Sequence, residues 1–255
     1  YNIHRGIFVE AAVDPSTHVS EVKMALKKAG DPDSLIEGVV AAIPVPEGGE
    51  AVRGFLNKLR ANGKLPKALK GGRVVLFGAE KDVMLSQKYT SGLEELQAHG
   101  LLWEWACTPD YLPGVLRATK RFPNMTFVLD HLGLNGGVGV LDKGMEDWKA
   151  MTKRLADECP NLYVKMGAIE EWNGVDHPAE CIRHAVSTFG THRCLAESNW
   201  FVSTGAYARA FDQLRAVLQE AKASDDKVSD VFRRNAERVY GLQTKGRTKR
   251  KQGKK

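Results

Sequence analysis

Apolar and polar positions along the chain switch between two periods. Short, nearly continuous apolar runs alternate with longer stretches in which apolar residues recur every three or four positions. The first pattern suits a strand buried on both faces, the second a helix with one buried face. Apolar runs at 6–13, 36–44, 69–77, 101–107, 125–131, 162–169 and 193–200 predict seven strands. Between them, helical spacing predicts helices at 19–29, 52–59, 91–99, 112–122, 145–159 and 178–189. Another helix is carried by Phe211, Leu214, Leu218 and Ala221, and a last one by 227–240. Gly30, Gly63 and Gly100 follow three of these helices and Pro160 a fourth, where helix stops belong.

Strand and helix in strict alternation, joined by short loops, predict a parallel α/β sheet. Seven such units point to a TIM-like (β/α)₈ barrel whose first strand lies upstream of Tyr1. The chain opens without a methionine and enters a strand within a few residues, so the expectation is that upstream sequence is missing. An open doubly wound sheet competes with the barrel, but it usually brings a phosphate-binding loop. The glycine cluster Gly133-Leu-Asn-Gly-Gly-Val-Gly139 matches neither that loop nor a dinucleotide fingerprint. A chain of 255 residues is enough for one large core, which predicts one domain over 1–242 and a basic, disordered tail over 243–255.

Charge changes this picture only at the end of the chain. The formal net charge is +6, and seven cations without an acid fall between Thr244 and Lys255, so subtracting those seven leaves −1 for the body. The folded body is therefore not basic. The tail suits an acidic partner such as RNA, or a localisation signal, or solvent alone, and it has no aromatic to stack on a base. Cys107, Cys159, Cys181 and Cys194 are widely spaced with no CxxC pair, which predicts a reducing, intracellular compartment and no zinc ribbon. No apolar run approaches the ~20 residues that span a bilayer, so no membrane role is expected.

The candidate chemistry centres on Phe127-Val-Leu-Asp-His-Leu-Gly133, a buried strand that ends in a histidine. α/β folds keep their sites at that end of the strands. A histidine that merely caps the strand is the bland alternative. Four stretches place His131 in a larger pattern. Phe127-Val-Leu-Asp-His-Leu-Gly133, Tyr163-Val-Lys-Met-Gly167, Ala196-Glu-Ser-Asn-Trp200 and Asn235-Ala-Glu-Arg-Val-Tyr-Gly-Leu242 together resemble the amidohydrolase-related metal-dependent hydrolases. The branch most similar is that of the sugar-lactone and pyrone-dicarboxylate lactone hydrolases, and weaker segments at Leu69-Lys-Gly-Gly-Arg73 and Gly100-Leu-Leu-Trp-Glu104 agree in order.

That resemblance implies a site. In the family, a first-strand His-x-His pair, a strand-six Asp-His and a strand-eight Gly-Ser-Asp-Trp supply ligands where a metal is used, and the strand-eight aspartate takes the proton from water. Carried over, His131 is the strand-six histidine, and Arg73 and Lys165 hold a substrate carboxylate or the developing oxyanion. Glu104 and Trp200 join the substrate-binding set, with pairing of Arg73 to Glu104 and simple snorkelling of Lys165 as bland alternatives. Trp103, Trp105, Trp172 and Trp200 near strand ends suit either an apolar wall for a ring or plain core packing.

Two departures matter. Asn199 stands where the family has its catalytic aspartate, and an amide accepts no proton from water. Strand alternation puts Glu197 on the same face as Asn199, about 6–7 Å deeper, as a substitute base or a paired structural acid. The His-x-His pair is absent, since His4 precedes the first predicted strand and His18 opens a helix. No metal ligand set is assigned, and zinc or manganese enters only if upstream residues complete one. Two readings follow. One is a hydrolase that opens a carboxylated lactone or similar ring ester, with His131, Glu197 and Asn199 at the reacting centre. The other is a catalytically silent barrel, a scaffold or binding subunit of a larger assembly with its tail on RNA or another acidic partner.

Overall fold

The structure is a computed structural model that describes residues 1–134, 144–168, 177–200, 202 and 207–242. Seven parallel strands run in sequential order: β1 Gly6–Val9, β2 Ile36–Ala41, β3 Leu69–Val75, β4 Leu102–Ala106, β5 Phe127–Leu129, β6 Leu162–Met166 and β7 Cys194–Ala196. Each is followed by helix on the outside: α1 His18–Ala29, α2 Gly49–Asn57, α3 Gln87–Ala98, α4 Leu112–Arg121, α5 Met145–Glu158, α6 His177–Phe189 and α7 Tyr207–Glu220. The helices start where local chemistry favours it. The Ser86 hydroxyl accepts from the Tyr89 amide at α3, Pro113 sits in the first turn of α4, and Glu146 and Asp147 meet the positive end of α5.

Alternation along the strands separates two cores. Trp103, Trp105 and Phe127 face outward into the large core under the helices, where Trp105 stacks on Phe127 with centroids 5.6 Å apart. Val40, Leu102, Val128, Leu195 and Tyr240 form a second cluster with Ile7, Val9 and Tyr163 packed against it. Members of that cluster come from β1, β2, β4, β5, β6 and β7, which a flat sheet could not bring together. The sheet is curled into a half-barrel, and the second cluster is its interior.

The closing segment seals the floor of that interior. The predicted single helix at 227–240 is broken into α8 Asp225–Ser229, a π turn Asp230–Arg234 and α9 Asn235–Val239. Asn235 is fully buried, and its amide donates to the carbonyls of Thr191 and Cys194 at 2.7 Å each, tying α9 to the start of β7. These bonds and the π turn replace regular helical phase, which periodicity alone does not anticipate. Residues before β1 reach across to the same side: Tyr1 donates to Asp212 at 2.6 Å and packs near Phe211 and Phe232. The strands end earlier than their apolar runs, β1 and β7 most of all, at Val9 instead of residue 13 and at Ala196 instead of residue 200. The basic tail and Trp172 lie outside the described residues.

Candidate active site

Strands β1, β5, β6 and β7 all leave the sheet through left-handed backbone at residues other than glycine: Ala12 (φ 51), His131 (φ 49), Leu132 (φ 60), Ala168 (φ 59) and Asn199 (φ 48). Such conformations cost about 1–3 kcal/mol each and persist where surrounding contacts hold them. Asn tolerates this geometry, but so does Asp, so backbone shape does not account for Asn199. Because β7 has already ended, the alternation that placed Glu197 and Asn199 on one strand face does not apply to them.

At this end of the sheet the inward positions are charged. Glu10 follows β1, Arg73 lies in β3, Glu104 in β4, Asp130 and His131 after β5, Lys165 in β6 and Glu197 after β7. Arg73 donates through Nε to Glu10 Oε1 (2.6 Å), through Nη2 to the Glu10 carbonyl (2.6 Å) and through Nη1 to Asp130 Oδ2 (2.9 Å). Lys165 Nζ bonds Glu104 Oε2 at 2.6 Å, pairs with Asp130 Oδ1 at 2.9 Å and lies 3.9 Å from Glu197 Oε2. Tyr240 reaches up from the floor and donates to the other Glu104 oxygen at 2.6 Å. Arg73 thus pairs with nearby acids, as the bland alternative has it, but these are Glu10 and Asp130 instead of Glu104. Lys165 takes Glu104, because β6 and β4 flank β5 and aim both side chains inward beneath Asp130.

Burial sets the protonation of these groups. Glu104 is fully buried, which pushes its carboxyl up to about 7 against the pull of Lys165. Burial also opposes the charge on Asp130, yet Lys165 and Arg73 beside it hold its pKa well below the ordinary carboxylate range. Arg73 and Lys165 stay protonated because their carboxylate partners outweigh their own desolvation.

His131 stands at the open edge of this network. Glu197 Oε1 accepts from its Nδ1 at 2.7 Å and from its backbone amide at 3.2 Å. Burial works against the imidazolium, but the carboxylates of Glu197 and Asp130 overcome it and raise the pKa of His131 above the ordinary histidine value. Nε2 forms no hydrogen bond among the described residues, so the ring has one nitrogen held and one left for proton transfer. Gly167, after β6, makes this geometry possible: a Cβ there would lie 2.1 Å from Glu197 Cγ and 2.8 Å from the Glu197 carbonyl.

The structure therefore gathers His131, Glu197, Arg73, Glu104 and Lys165 into one network, while Asn199 and Trp200 sit two and three residues past Glu197 and Trp200 is 65% exposed. Trp103 and Trp105 are core residues, each 0% exposed. Sequence reasoning left out Glu10, Asp130, Gly167 and Tyr240 as site residues. Asp130 carried a signal, an acid beside a strand-end histidine, and so did Glu10, an acid closing an apolar strand. Nothing in the periodicity announces that Tyr240 enters the barrel from below.

The Amidohydrolase family profile matches residues 1–242. The chain is a member of that family. An L-fucono-1,5-lactonase from Burkholderia ambifaria is 27% identical over 116 residues, which are 44% of this chain and 38% of the lactonase. The matched stretch thus spans well under half of that enzyme. An amidohydrolase from Burkholderia multivorans, solved with HEPES, superposes with a TM-score of 0.80 at 22% identity, covering 94% of this chain and 84% of its own. A Pseudomonas putida structure described as a 2-pyrone-4,6-dicarboxylic acid hydrolase gives 0.71 at 15% identity, covering 95% and 84%. At such identities the two structures support the fold alone.

A second crystal form of the Burkholderia multivorans protein holds zinc. The described residues of this amidohydrolase offer no ready ligand set for such an ion. Among them, no group of three or more His, Cys, Asp or Glu is arranged to hold a metal ion. The donors near His131 are engaged too, Glu197 by Nδ1 and Asp130 by two cations. Among the described residues, no helix is long and apolar enough to cross a membrane.

Proposed function

We propose that this amidohydrolase opens a lactone, a cyclic ester, by water attack, with His131 moving the proton and Glu197 orienting the imidazole. The 2.7 Å bond from His131 Nδ1 to Glu197 Oε1 carries the reading, because it fixes the tautomer and ring angle and leaves Nε2 to the reaction. Water attacks the ring carbonyl and gives its proton to Nε2. The tetrahedral oxyanion then collapses, the ring C–O bond breaks, and Nε2 returns the proton to the leaving alkoxide, giving a hydroxy acid. Glu197 acts here as the partner of the base, a role that fits its place beside His131 better than that of the base itself.

Arg73 and Lys165 act from beneath, through the field they set on Asp130 and Glu197. The family resemblance gives both to a substrate carboxylate or the developing oxyanion, yet Arg73 bonds Glu10 and Asp130 and Lys165 bonds Glu104, which favours an uncharged ring over a carboxylated one. In this reading Trp200 holds that ring, and Asn199, expected from the sequence at the reacting centre, offers it an amide instead of a base. The test is ring opening followed by proton release, on neutral sugar lactones and on dicarboxylate lactones, for the full chain and for His131→Ala. Loss of about 10²–10⁴-fold in His131→Ala is expected, the usual weight of a general base. Turnover unchanged in that variant ends the proposal. A chain inert on every lactone supports the silent-barrel reading, in which the cations of 244–255 meet an acidic partner such as RNA.

A further inference from the structure

The opposite end of the barrel carries chemistry that the hydrolase reading does not use. A cavity of about 350 Å³ opens there, at the starts of β3, β4 and β5 and beneath the closing segment. Lys70, Arg238, Gln97, Asn124 and Thr126 line it, Tyr240 forms part of its inner wall, and no Asp or Glu is among its described lining residues. All its polar side chains are thus cationic or neutral.

Lys70 is the informative residue. It is half-buried, and burial holds its amine below the ordinary lysine value. Its one hydrogen bond is long, 3.4 Å from Nζ to the Gly241 carbonyl, and it forms no salt bridge among the described residues. Glu37 acts on it electrostatically, but that carboxylate is already bonded by Nε (2.9 Å) and Nη2 of Arg5, whose own charge opposes Lys70. Arg238 is held in place, Nη2 donating to the His192 carbonyl at 2.7 Å and to Asn235 Oδ1 at 2.9 Å, with no carboxylate partner among the described residues. A half-buried ammonium whose nearest carboxylate is already bonded by Arg5 is short of counter-charge, and a ligand oxyanion would supply it.

We infer that this floor cavity is a second binding site, taking a small organic oxyanion whose carboxylate or phosphate meets Lys70 and Arg238. Gln97, Asn124 and Thr126 provide amides and a hydroxyl for the body of such a molecule, and the volume admits a metabolite-sized ligand. The site lies a strand's length from His131, so it does not depend on the lactonase reading.

Titration calorimetry on the full chain at constant ionic strength tests it, with gluconate, citrate and inorganic phosphate as probes. Fixed ionic strength removes the general attraction of anions to exposed cations, those of the tail included. The expected result is saturable binding of at least one probe at one site. Lys70→Met, which keeps the apolar stem, should weaken it at least tenfold, and Arg238→Gln several-fold, while His131→Ala and Lys120→Met, a substitution in the last turn of α4 away from the cavity lining, leave it unchanged. Phosphate binding without the carboxylates assigns the site to phosphate esters, and the reverse assigns it to organic acids. Circular dichroism of Lys70→Met and Arg238→Gln separates lost binding from lost folding. No saturable binding, binding that survives both substitutions in folded protein, or binding abolished by His131→Ala overturns the inference.

Discussion

On the inner face of the sheet, one step of two residues separates Leu102 from Glu104 and Tyr163 from Lys165, and Asp130 and Glu197 follow just past the ends of β5 and β7. The same strands thus build an apolar lower layer and, about 6–7 Å higher, a layer of ion pairs. Hydrophobic burial explains the lower layer without further argument. The upper one needs another reason, since buried ion pairs are weak contributors to stability and apolar replacements often do as well. Its arrangement ends at His131 and Glu197, where the strained strand exits also cluster, which is the pattern expected when charge is kept for chemistry.

Substitutions in the two layers should separate these roles. Lys165→Met leaves Glu104 and Asp130 buried without their shared cation, and should cost about 3–5 kcal/mol in urea unfolding. Leu102→Ala, in the lower layer, should cost about 2–5 kcal/mol with no dependence on pH. If both variants lose the same stability at every pH, the layers do not differ as described. Gly167→Ala forces Glu197 aside; such overpacking costs about 1–3 kcal/mol, and lactone opening should fall at least tenfold beyond what instability explains. Tyr240→Phe removes the donor from a buried Glu104 oxygen and should cost about 1–3 kcal/mol, read as a lower melting temperature.

The smallest effect expected is on pH dependence. Glu104 has a folded-state pKa of about 7, above the unfolded value of about 4.3, so the folded state holds this proton more tightly. The stability it contributes is full below about 4.3 and is lost as pH rises through about 7. His131 is raised as well and works in the same direction, losing its contribution as pH rises through its folded value. Asp130 is lowered and works the other way, in acid alone. Glu104→Gln should therefore flatten the fall in melting temperature between about pH 4.3 and 7, and an unchanged slope would remove Glu104 from this role.

The fold was legible in the sequence because two periods alternated cleanly and each buried face repeated them. Strand ends were less so. The apolar run continues past Val75 through Leu76 and Phe77 although β3 has ended, whereas after Leu129 and Ala196 polar residues follow at once, and where the backbone turns left-handed or 3₁₀ there is not written in their polarity. Among site residues, His131, Glu197, Arg73, Glu104 and Lys165 could be named from strand position. Their pairing could not, because it depends on which strands flank which: β5 lies between β4 and β6, so Lys165 meets Glu104 across Asp130. Tyr240 was hidden for a different reason, since its position follows from the π turn and the Asn235 bonds far from any strand pattern.

The most direct test of the central claim is a proton NMR titration of the His131 imidazole in the full chain and in Glu197→Gln. The account predicts that His131 titrates above the ordinary histidine range, that the rate of lactone opening rises with pH through the same value, and that Glu197→Gln moves both downward. A His131 that titrates at or below the ordinary value, unmoved by Glu197→Gln, would contradict it.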